Sequence, residues 1–382
     1  MLLPLRMWKK RKTTMNEMNE LLTETAETPV YDTVTLEDIA DTVASAKNAL
    51  ILTHVNPDGD CIGAAFALRR LILACGGQAR VICPNDLPKR LRFLASDSLY
   101  MTEDEEPYNT RFDPETEDIS VYDCILSVDV ASPMQLGDLA VLIPHIRYMI
   151  DHHGMGEPFA PNYIDPTASA AGEIIFRLYT GLKQRGTVGI VPEAARRMYA
   201  AIVSDTGSFK FSNTTPDTHY IAADLVEEIN SADDGGMDTA DVCRSLFGQR
   251  TLKELTAQML AIQNLRFYEN GRLGAVLFTQ QMLADAGLTE EEIGNVVDTP
   301  RGVEGVLIGI SLRQLAADPT QYKVSSRANA DIDCAAVCAA FGGGGHTRAA
   351  GCTITADDPE EALARMAEAF GSAIRASATK NE

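Results

Sequence analysis

Short apolar runs alternate with longer amphipathic stretches through most of the chain. The first apolar runs lie at 49–53, 79–83, 124–130 and 148–151. Stretches with helical periodicity lie at 61–73, 169–182 and 193–204. Strand-like runs separated by helix-length segments are typical of βαβ units, so this part of the chain predicts an α/β domain with a doubly wound parallel sheet.

A second, smaller α/β domain is predicted after a polar, glycine-containing stretch. Its strand-like and helical patterns lie at 273–278, 305–312, 322–327 and 333–341, then in a strand near 352–355 and a final helix from Asp358. We predict a disordered tail over 1–35, a first domain over 36–230, a linker over 231–252 and a second domain over 253–377. Met15 and Met18 are alternative starts, and a cleft between the domains is the expected active site.

Length and composition are those of a soluble protein with two cores. The chain has 382 residues, of which 45% are hydrophobic, and it lacks the roughly 20-residue apolar run that a membrane-spanning helix requires. Its eight cysteines form no CxxC pair and follow no secretory leader, so they are expected to be reduced thiols in a cytoplasmic protein. No membrane partner is expected.

The formal net charge of −21 disfavours long duplex nucleic acid as a partner, because that binding requires clustered Lys and Arg. An acidic protein can still bind anions where metal ions supply the positive charge. A solvated acidic surface is the commoner reason for such a charge.

The segment after the first strand carries His54, Asp58 and Asp60. Ligands of an open parallel sheet bind at the carboxyl ends of its strands. Hard divalent cations such as Mn²⁺ and Mg²⁺ favour oxygen-rich ligand sets with one or two imidazoles. The alternative is an ordinary Asp/Gly turn with a surface histidine.

Three further groups of potential ligands follow other predicted elements. They are Asp129, then Asp151 with His152 and His153, and then Asp205. Taken alone, Asp129 is equally well a capping residue and Asp205 a turn residue. Adjacent His152 and His153 should not point the same way, so one can bind metal while the other meets substrate. Six residues, His54, Asp58, Asp60, Asp129, His152 and Asp205, suffice for a two-metal centre if one carboxylate bridges.

The second domain contains a run of glycines that can bind an anion. Backbone N–H groups can approach a phosphate closely at Gly343, Gly344 and Gly345, and His346 and Arg348 add donors just beyond them. Arg327 on a nearby strand could clamp the same phosphate. The alternative is a flexible surface loop.

Other polar residues are expected to be bystanders. His145 and His219 are more often surface or helix histidines than ligands. Thr215 and Pro216 predict the start of a helix, with threonine as the N-cap and proline at the first helical position.

Together the motifs resemble those of the DHH phosphoesterase superfamily. The resemblance rests on HVNPDGD, SVD, DHH and SDTGSF in the first domain, and on FGGGGHTRAAG, which is similar to the GGGH motif of the DHHA1 substrate-binding domain. It spans roughly residues 45–355. Within the superfamily the chain most resembles the bacterial nanoRNase (oligoribonuclease) and pAp-phosphatase group.

The resemblance implies specific roles for these residues. One Mn²⁺ would be held by His54, Asp58 and Asp129, and the other by Asp60, Asp129, His152 and Asp205. His153 would contact the scissile phosphate and protonate the leaving group, with Asp151 as its support. The chain departs from its relatives at 168–171, where ASAA replaces frequent hydroxyl residues.

The implied activity is hydrolysis of short oligoribonucleotides (nanoRNA, pApA) and of pAp to mononucleotides by water activated by two Mn²⁺ ions, with Mg²⁺ or Co²⁺ as substitutes. Short single-stranded RNA or small nucleotides are therefore the expected substrates. A cyclic-di-AMP phosphodiesterase and a non-catalytic nucleotide-binding regulator stay open as alternatives, as does a homodimer. The glycine run disfavours an inorganic pyrophosphatase of class II, and the acidity disfavours an exonuclease acting on long strands.

Overall fold

The computed structural model describes residues 31–96, 108–113, 116–294 and 296–378. The chain divides into two compact units, Met1–Gln249 and Arg250–Glu382. Most of the predicted tail and both alternative start methionines lie outside the described residues. The last residues of that predicted tail are described, and there the Val34 N–H donates to the Asn162 carbonyl (2.8 Å).

Among the described residues of the first unit, five parallel strands form one sheet in the order β2-β1-β3-β4-β5. The strands are β1 (Asn48–Leu52), β2 (Gln78–Ile82), β3 (Cys124–Val128), β4 (Tyr148–Asp151) and β5 (Asn162–Ile164). The helices are α1 (Leu36–Ser45), α2 (Gly59–Ala74), α3 (Arg92–Ala95), α4 (Ala171–Gln184), α5 (Pro192–Asp205), α6 (Pro216–Ser231) and α7 (Thr239–Cys243). The predicted parallel α/β fold is confirmed.

Both faces of the first sheet are buried at its central strands, which is why β1, β3 and β4 are largely apolar. Ile51, Leu126 and Ile150 pack on one face, against α1, α2, α4, α5 and α6. The alternate residues Leu50 and Ile125 pack on the other face, against short 3₁₀ turns within Pro133–His145. Short turns therefore cover this second face, whereas long helices cover the first.

Helices α2 and α5 pack closely on each other. A Cβ added at Gly63 would lie 2.6 Å from the Arg197 carbonyl oxygen, so only glycine fits there. The Arg197 side chain is fully buried and donates to the Leu94 carbonyl (2.8 Å). The contact fixes α5, whose last residue is the candidate ligand Asp205.

The second unit contains a six-stranded sheet in the order β10-β11-β9-β8-β7-β6, as far as the described residues show. Its strands are β6 (Arg266–Tyr268), β7 (Leu273–Phe278), β8 (Ile308–Gln314), β9 (Gln321–Ala328), β10 (Gly344–His346) and β11 (Ala349–Thr355). Its helices are α8 (Leu252–Gln263), α9 (Gln280–Asp285), α10 (Asp298–Arg301), α11 (Cys334–Ala339) and α12 (Pro359–Ala378). The β7–β8 pair is parallel, and the other pairs are antiparallel.

Several elements were not anticipated by their sequence pattern. They are α1, the short strands β5 and β6, and β10, which is formed by the glycine run itself. The segment 231–252, predicted as a linker, contains α7, and Val242 of that helix is buried in the first core. Short elements carry too few residues for a periodicity to emerge, and their tertiary partners define them.

The start of α6 follows the expected capping pattern. Thr215 is its N-cap in a capping box with Thr218, and Pro216 is its first residue. None of the helices in the described part of the chain is both long and apolar enough to cross a membrane.

A stability prediction follows from the ion pair between α5 and the loop after α6. The buried Arg196 guanidinium donates to both Asp234 carboxylate oxygens (2.7 and 2.6 Å), and this holds the pKa of Asp234 at about 2. We expect Asp234→Asn to reduce the free energy of unfolding at pH 7 by about 1–2 kcal/mol, a value discounted because Asp234 is partly exposed. Urea unfolding measures the loss.

The pKa of Asp234 is lower in the folded than in the unfolded chain. Its stabilising contribution is therefore complete above about pH 4 and is lost as the pH falls towards 2. The difference between parent and variant should shrink over that range. Asp233→Asn, at the neighbouring exposed carboxylate, is the matched control, and an equal effect of both variants would contradict the prediction.

Candidate metal centre

Three neighbouring strands of the first sheet end in potential metal ligands. His54 follows β1, Asp129 follows β3, and His152 follows β4. The chain runs from β1 to β2 on one side of β1 and returns to β3 on the other side, so the switch point of the sheet lies between β1 and β3. Open α/β sheets bind ligands at such a point.

Backbone carbonyls orient both histidines. His54 Nδ1 lies 2.7 Å from the Val55 carbonyl oxygen, and His152 Nδ1 lies 3.2 Å from the Ala168 carbonyl oxygen. Because a carbonyl only accepts, each Nδ1 carries the proton. Each Nε2 therefore presents a free lone pair, as is usual for histidines that bind metals.

The two Nε2 atoms each face several carboxylate oxygens. His54 Nε2 lies 3.6 Å from Asp129 Oδ2 and 3.9 Å from Asp58 Oδ1. His152 Nε2 lies 3.6 Å from both Asp60 Oδ2 and Asp129 Oδ1, and 3.9 Å from Asp205 Oδ2. These separations are too long for hydrogen bonds, and they suit atoms that share an ion about 2.1 Å from each.

Asp129 occupies the central position. One of its oxygens faces His54 and the other faces His152. The residue is 2% exposed, its backbone is left-handed with φ 58°, and its Oδ1 has no hydrogen-bond donor among the described residues. A buried carboxylate oxygen without a donor is costly, and a cation would satisfy it.

The carboxylates also repel one another. Burial, and then the neighbouring carboxylates, raise the pKa of Asp60 and Asp129 well above its usual value, and burial raises the pKa of Asp205. Charged carboxylates at this spacing need positive charge between them. The donor set of imidazole nitrogens and carboxylate oxygens fits divalent transition metals.

Backbone groups near these carboxylates were missed by the sequence reasoning. Asp60 accepts from the Ala171 N–H (2.7 Å) and the Gly172 N–H (3.0 Å), the first residues of α4. The ASAA segment, which departs from the expected hydroxyl pattern, thus acts through its main chain. In the sequence, the one sign of this role was the position of the segment just before a helix. The free N–H groups at the start of a helix favour a carboxylate.

Asp205 is held by a residue that the sequence did not single out. The Asn213 side-chain amide donates to the Asp205 carbonyl (3.1 Å) and to the Ser169 carbonyl (3.0 Å). At the other side of the cluster, Asp58 is the N-cap of α2 and accepts from the Asp60 and Cys61 N–H groups (both 3.0 Å).

Cys61 also lies close to His54 and Asp129. Burial, and then the charge of Asp129, raise the pKa of its thiol well above its usual value. The thiol points to the Val128 carbonyl oxygen (3.7 Å). A neutral, hydrogen-bonded thiol is a poor metal ligand, because the thiolate is the binding form.

His153 points differently from His152. Its Nδ1 donates to Asp151 Oδ1 (2.8 Å), and its side chain is 44% exposed. Asp151 is fully buried and also accepts from the His152 N–H (2.8 Å). The Asp151 hydrogen bond raises the pKa of His153 to about 9, which favours the protonated form of this imidazole.

The candidate phosphate-binding residues lie together in the second unit. His346 of β10 is in register with Ala349 of β11, which is in register with Arg327 of β9. Directly opposed residues share a face of a sheet, so His346 and Arg327 flank a small alanine on one face. Arg348 is exposed between β10 and β11.

The glycine run is not a loop: it pairs with β11 in a tight hairpin and forms the edge strand of the sheet. A Cβ at Gly343 would lie 2.2 Å from the Gly351 carbonyl oxygen, and Gly345 has φ 139°. Neither position tolerates a larger residue. Gly344 has open space on its side-chain face, so the exposed strand leaves room for a ligand close to its backbone.

Comparison with known proteins identifies both units. Residues 48–202 match the DHH family, N-terminal domain, and residues 274–373 match the DHHA1 domain. The chain is 31% identical to the bifunctional oligoribonuclease and PAP phosphatase NrnA of Thermus thermophilus, over 84% of this chain and 88% of that protein. The chain belongs to the DHH/DHHA1 phosphoesterase family.

Two further comparisons agree with this membership. The NrnA protein of Bacillus subtilis is 26% identical over 86% of this chain and 96% of its own length. The crystal structure of an exopolyphosphatase-related protein from Bacteroides fragilis superposes with a TM-score of 0.73 at 20% identity, covering 89% of this chain and 97% of that one. The DHH-family fold expected from the motifs is confirmed, whereas the roles of individual residues stay predictions.

Variants of the DHH domain can separate metal binding from other roles. We expect Asp129→Ala to lose most bound metal, because its two oxygens face both histidines. His153→Ala should keep its metal but lose about 100-fold in kcat, as expected for a residue that transfers a proton. Metal analysis of dialysed protein and rates on a dinucleotide measure the two effects.

His219→Ala is the control for these variants. His219 is exposed and stacks on Phe209 (ring centroids 5.1 Å apart). It should retain near-parental metal content and activity. Similar metal content in Asp129→Ala and His219→Ala would show that Asp129 is not a ligand.

Proposed function

We propose that this protein is a manganese-dependent phosphodiesterase that cleaves short oligoribonucleotides, including pApA, and the small nucleotide pAp to mononucleotides. The observation that carries the proposal is the cluster in which Asp129 faces two oriented histidines. Family membership makes the chain a hydrolase of phosphoric ester bonds on oligonucleotides. The NrnA relatives are named for oligoribonuclease and PAP phosphatase activities.

The proposed ligand sets divide the cluster in two. The first set is His54, Asp58 and Asp129, and the second is Asp60, Asp129, His152 and Asp205. Two divalent ions bound there would lower the pKa of water and neutralise charge on the scissile phosphate. Manganese suits this mixed set of imidazoles and carboxylates, and Mg²⁺ and Co²⁺ are the proposed substitutes.

His153 is the proposed proton donor of the reaction. Asp151 fixes its ring through Nδ1, which leaves Nε2–H for the substrate. The exposed imidazolium can donate to a phosphate oxygen and then protonate the leaving oxygen. Asp151 acts as a positioning residue, because it is fully buried and reaches the reaction only through His153.

The second unit is the proposed binding domain for the rest of the substrate. Arg327, His346 and Arg348 would bind a terminal phosphate by charge-assisted hydrogen bonds. The backbone at Gly343, Gly344 and Gly345 would add contacts that larger residues would block. Chemistry and substrate selection are thereby assigned to different units of the chain.

A product time course on a panel of substrates tests the proposal. We expect metal-free protein supplemented with Mn²⁺ to release mononucleotides fastest from ribonucleotides of two to five residues, and to hydrolyse pAp. EDTA should abolish the activity, because the carboxylates alone cannot neutralise the phosphate. The panel includes decanucleotides, duplex RNA and cyclic di-AMP as comparison substrates.

Two outcomes of this time course would contradict the proposal. Full activity in rigorously metal-free protein would exclude the two-metal mechanism. Faster turnover of cyclic di-AMP than of every linear dinucleotide would replace the proposed substrate with the cyclic one.

The division between chemistry and binding makes a separate prediction. We expect His346→Ala and Arg327→Ala each to reduce kcat/KM for a dinucleotide by about 10- to 100-fold, the size of one or two lost charge-assisted hydrogen bonds. Hydrolysis of bis-p-nitrophenyl phosphate serves as the control, because this substrate has no terminal phosphate. Equal losses on both substrates would instead place these residues in the chemical step or in folding.

A further inference from the structure

The sheet of the second unit has one apolar and one polar face where β9 and β11 lie. Tyr322 and Val324 of β9 and Cys352 and Ile354 of β11 are buried in the core with α11 and α12. The alternate residues of both strands are exposed or half-buried. The period-2 pattern therefore leaves an accessible polar face beside the glycine hairpin.

The strand register arranges this face into three rows that cross the strands. The first row is His346, Ala349, Arg327 and Gly309. The second row is Gly344, Gly351, Ser325 and Ser311. The third row is Thr353, Lys323 and Arg313. Cationic residues thus lie in the first and third rows, and the glycine and serine residues of the second row lie between them.

The spacing of the rows suits a nucleotide chain. Neighbouring rows are two residues apart along a strand, or about 6.7 Å, so Arg327 and Lys323 lie two such steps apart at their Cα atoms. Both side chains are long and flexible enough to lean over the small residues between them. A single strand that binds one phosphate at Arg327 can therefore bring its next phosphate within reach of Lys323.

The charge of this face contrasts with that of the chain. The protein has 54 acidic residues and a net charge of −21, yet the accessible-face positions of β9, β10 and β11 include no carboxylate. Arg313 is already engaged by an acidic residue, since its Nε lies 3.3 Å from Glu290 Oε1 and its Nη1 donates to the Glu290 carbonyl (2.8 Å). Lys323 is exposed and forms no ion pair with the residues that the structure describes, so it is available to an anion.

A cavity adjoins Lys323 on the same part of the sheet. Its volume is about 180 Å³, and its lining includes Phe278, Val296, Ser311, Ser325 and Lys323. Its lining combines apolar side chains with hydroxyl groups and a cation, and this combination suits an amphipathic ligand. A nucleoside next to a bound phosphate has this character.

We propose that Lys323 and the adjoining cavity form a second nucleotide subsite, which engages the additional nucleotide of substrates longer than a dinucleotide. The proposal rests on the proposed function, in which Arg327 and His346 bind the phosphate of a dinucleotide. In a longer substrate the phosphate at Arg327 is internal, and Lys323 binds the next phosphate beyond it. It thereby sets how well three-residue and longer substrates are used relative to two-residue ones.

The test compares 5′-phosphorylated di- and triribonucleotides on full-length protein with Mn²⁺. We expect Lys323→Gln to lower the ratio of kcat/KM for the trinucleotide to that for the dinucleotide by about 3- to 10-fold, as for the loss of one exposed charge-assisted contact. Lys323→Arg should restore most of the ratio. Lys253→Gln removes the same charge from α8, where Lys253 pairs with Glu292, and should leave the ratio at the parental value.

A binding measurement keeps this inference separate from the proposed function. Fluorescence anisotropy with labelled trinucleotide and metal-free protein should show weaker binding by Lys323→Gln. The slope of log Kd against the logarithm of the salt concentration should fall by about 0.7, as for one lost phosphate contact. An unchanged ratio, or equal losses on both substrates, would overturn the subsite. If the parent hydrolyses no dinucleotide at all, the proposed function fails, and the binding comparison still decides for or against Lys323.

Discussion

The first unit depends on how it places several carboxylates at one largely buried point. Asp60 and Asp129 are almost fully buried, and the pKa of each is raised by burial and by its neighbours. Such a cluster is unfavourable unless positive charge compensates it. The parallel sheet makes the cluster unavoidable, because β1, β3 and β4 are adjacent and end at the same edge.

The surrounding structure holds these groups in place mainly through backbone carbonyls and backbone N–H groups. The Val55 and Ala168 carbonyls bind the Nδ1 atoms of the two histidines, and the start of α4 binds Asp60. Close packing of α2 on α5, which Gly63 permits, fixes the helix that ends in Asp205. Rigid support of this kind is what a site needs when like charges must stay close together.

The second unit combines a buried core with an exposed cationic face. Its sheet buries one face and exposes cations on the other, in a chain that is strongly acidic overall. Alternation along β9 and β11 achieves both, since every second residue joins the core and the others remain accessible. Gly344 and Gly345 of β10 leave the edge of this face open beside His346.

The sequence by itself determined the fold class, the candidate ligands and the family, because these depend on local patterns. Short apolar runs, helical periodicity and the polar residues that follow the strands are all local features. The start of α6 was equally readable, since Thr215 and Pro216 cap a helix through their own chemistry.

Only the tertiary structure decided which atoms meet. The bonds from Ala171 and Gly172 to Asp60 join residues more than a hundred positions apart, and small residues carry no pattern that marks a main-chain contact. The sequence indicated an anion site at the glycine run, with a flexible loop as the alternative, but it did not show that pairing with β11 makes the run an edge strand. The alignment of Arg327, His346 and Lys323 on one face likewise depends on strand register, which is set by packing between distant segments.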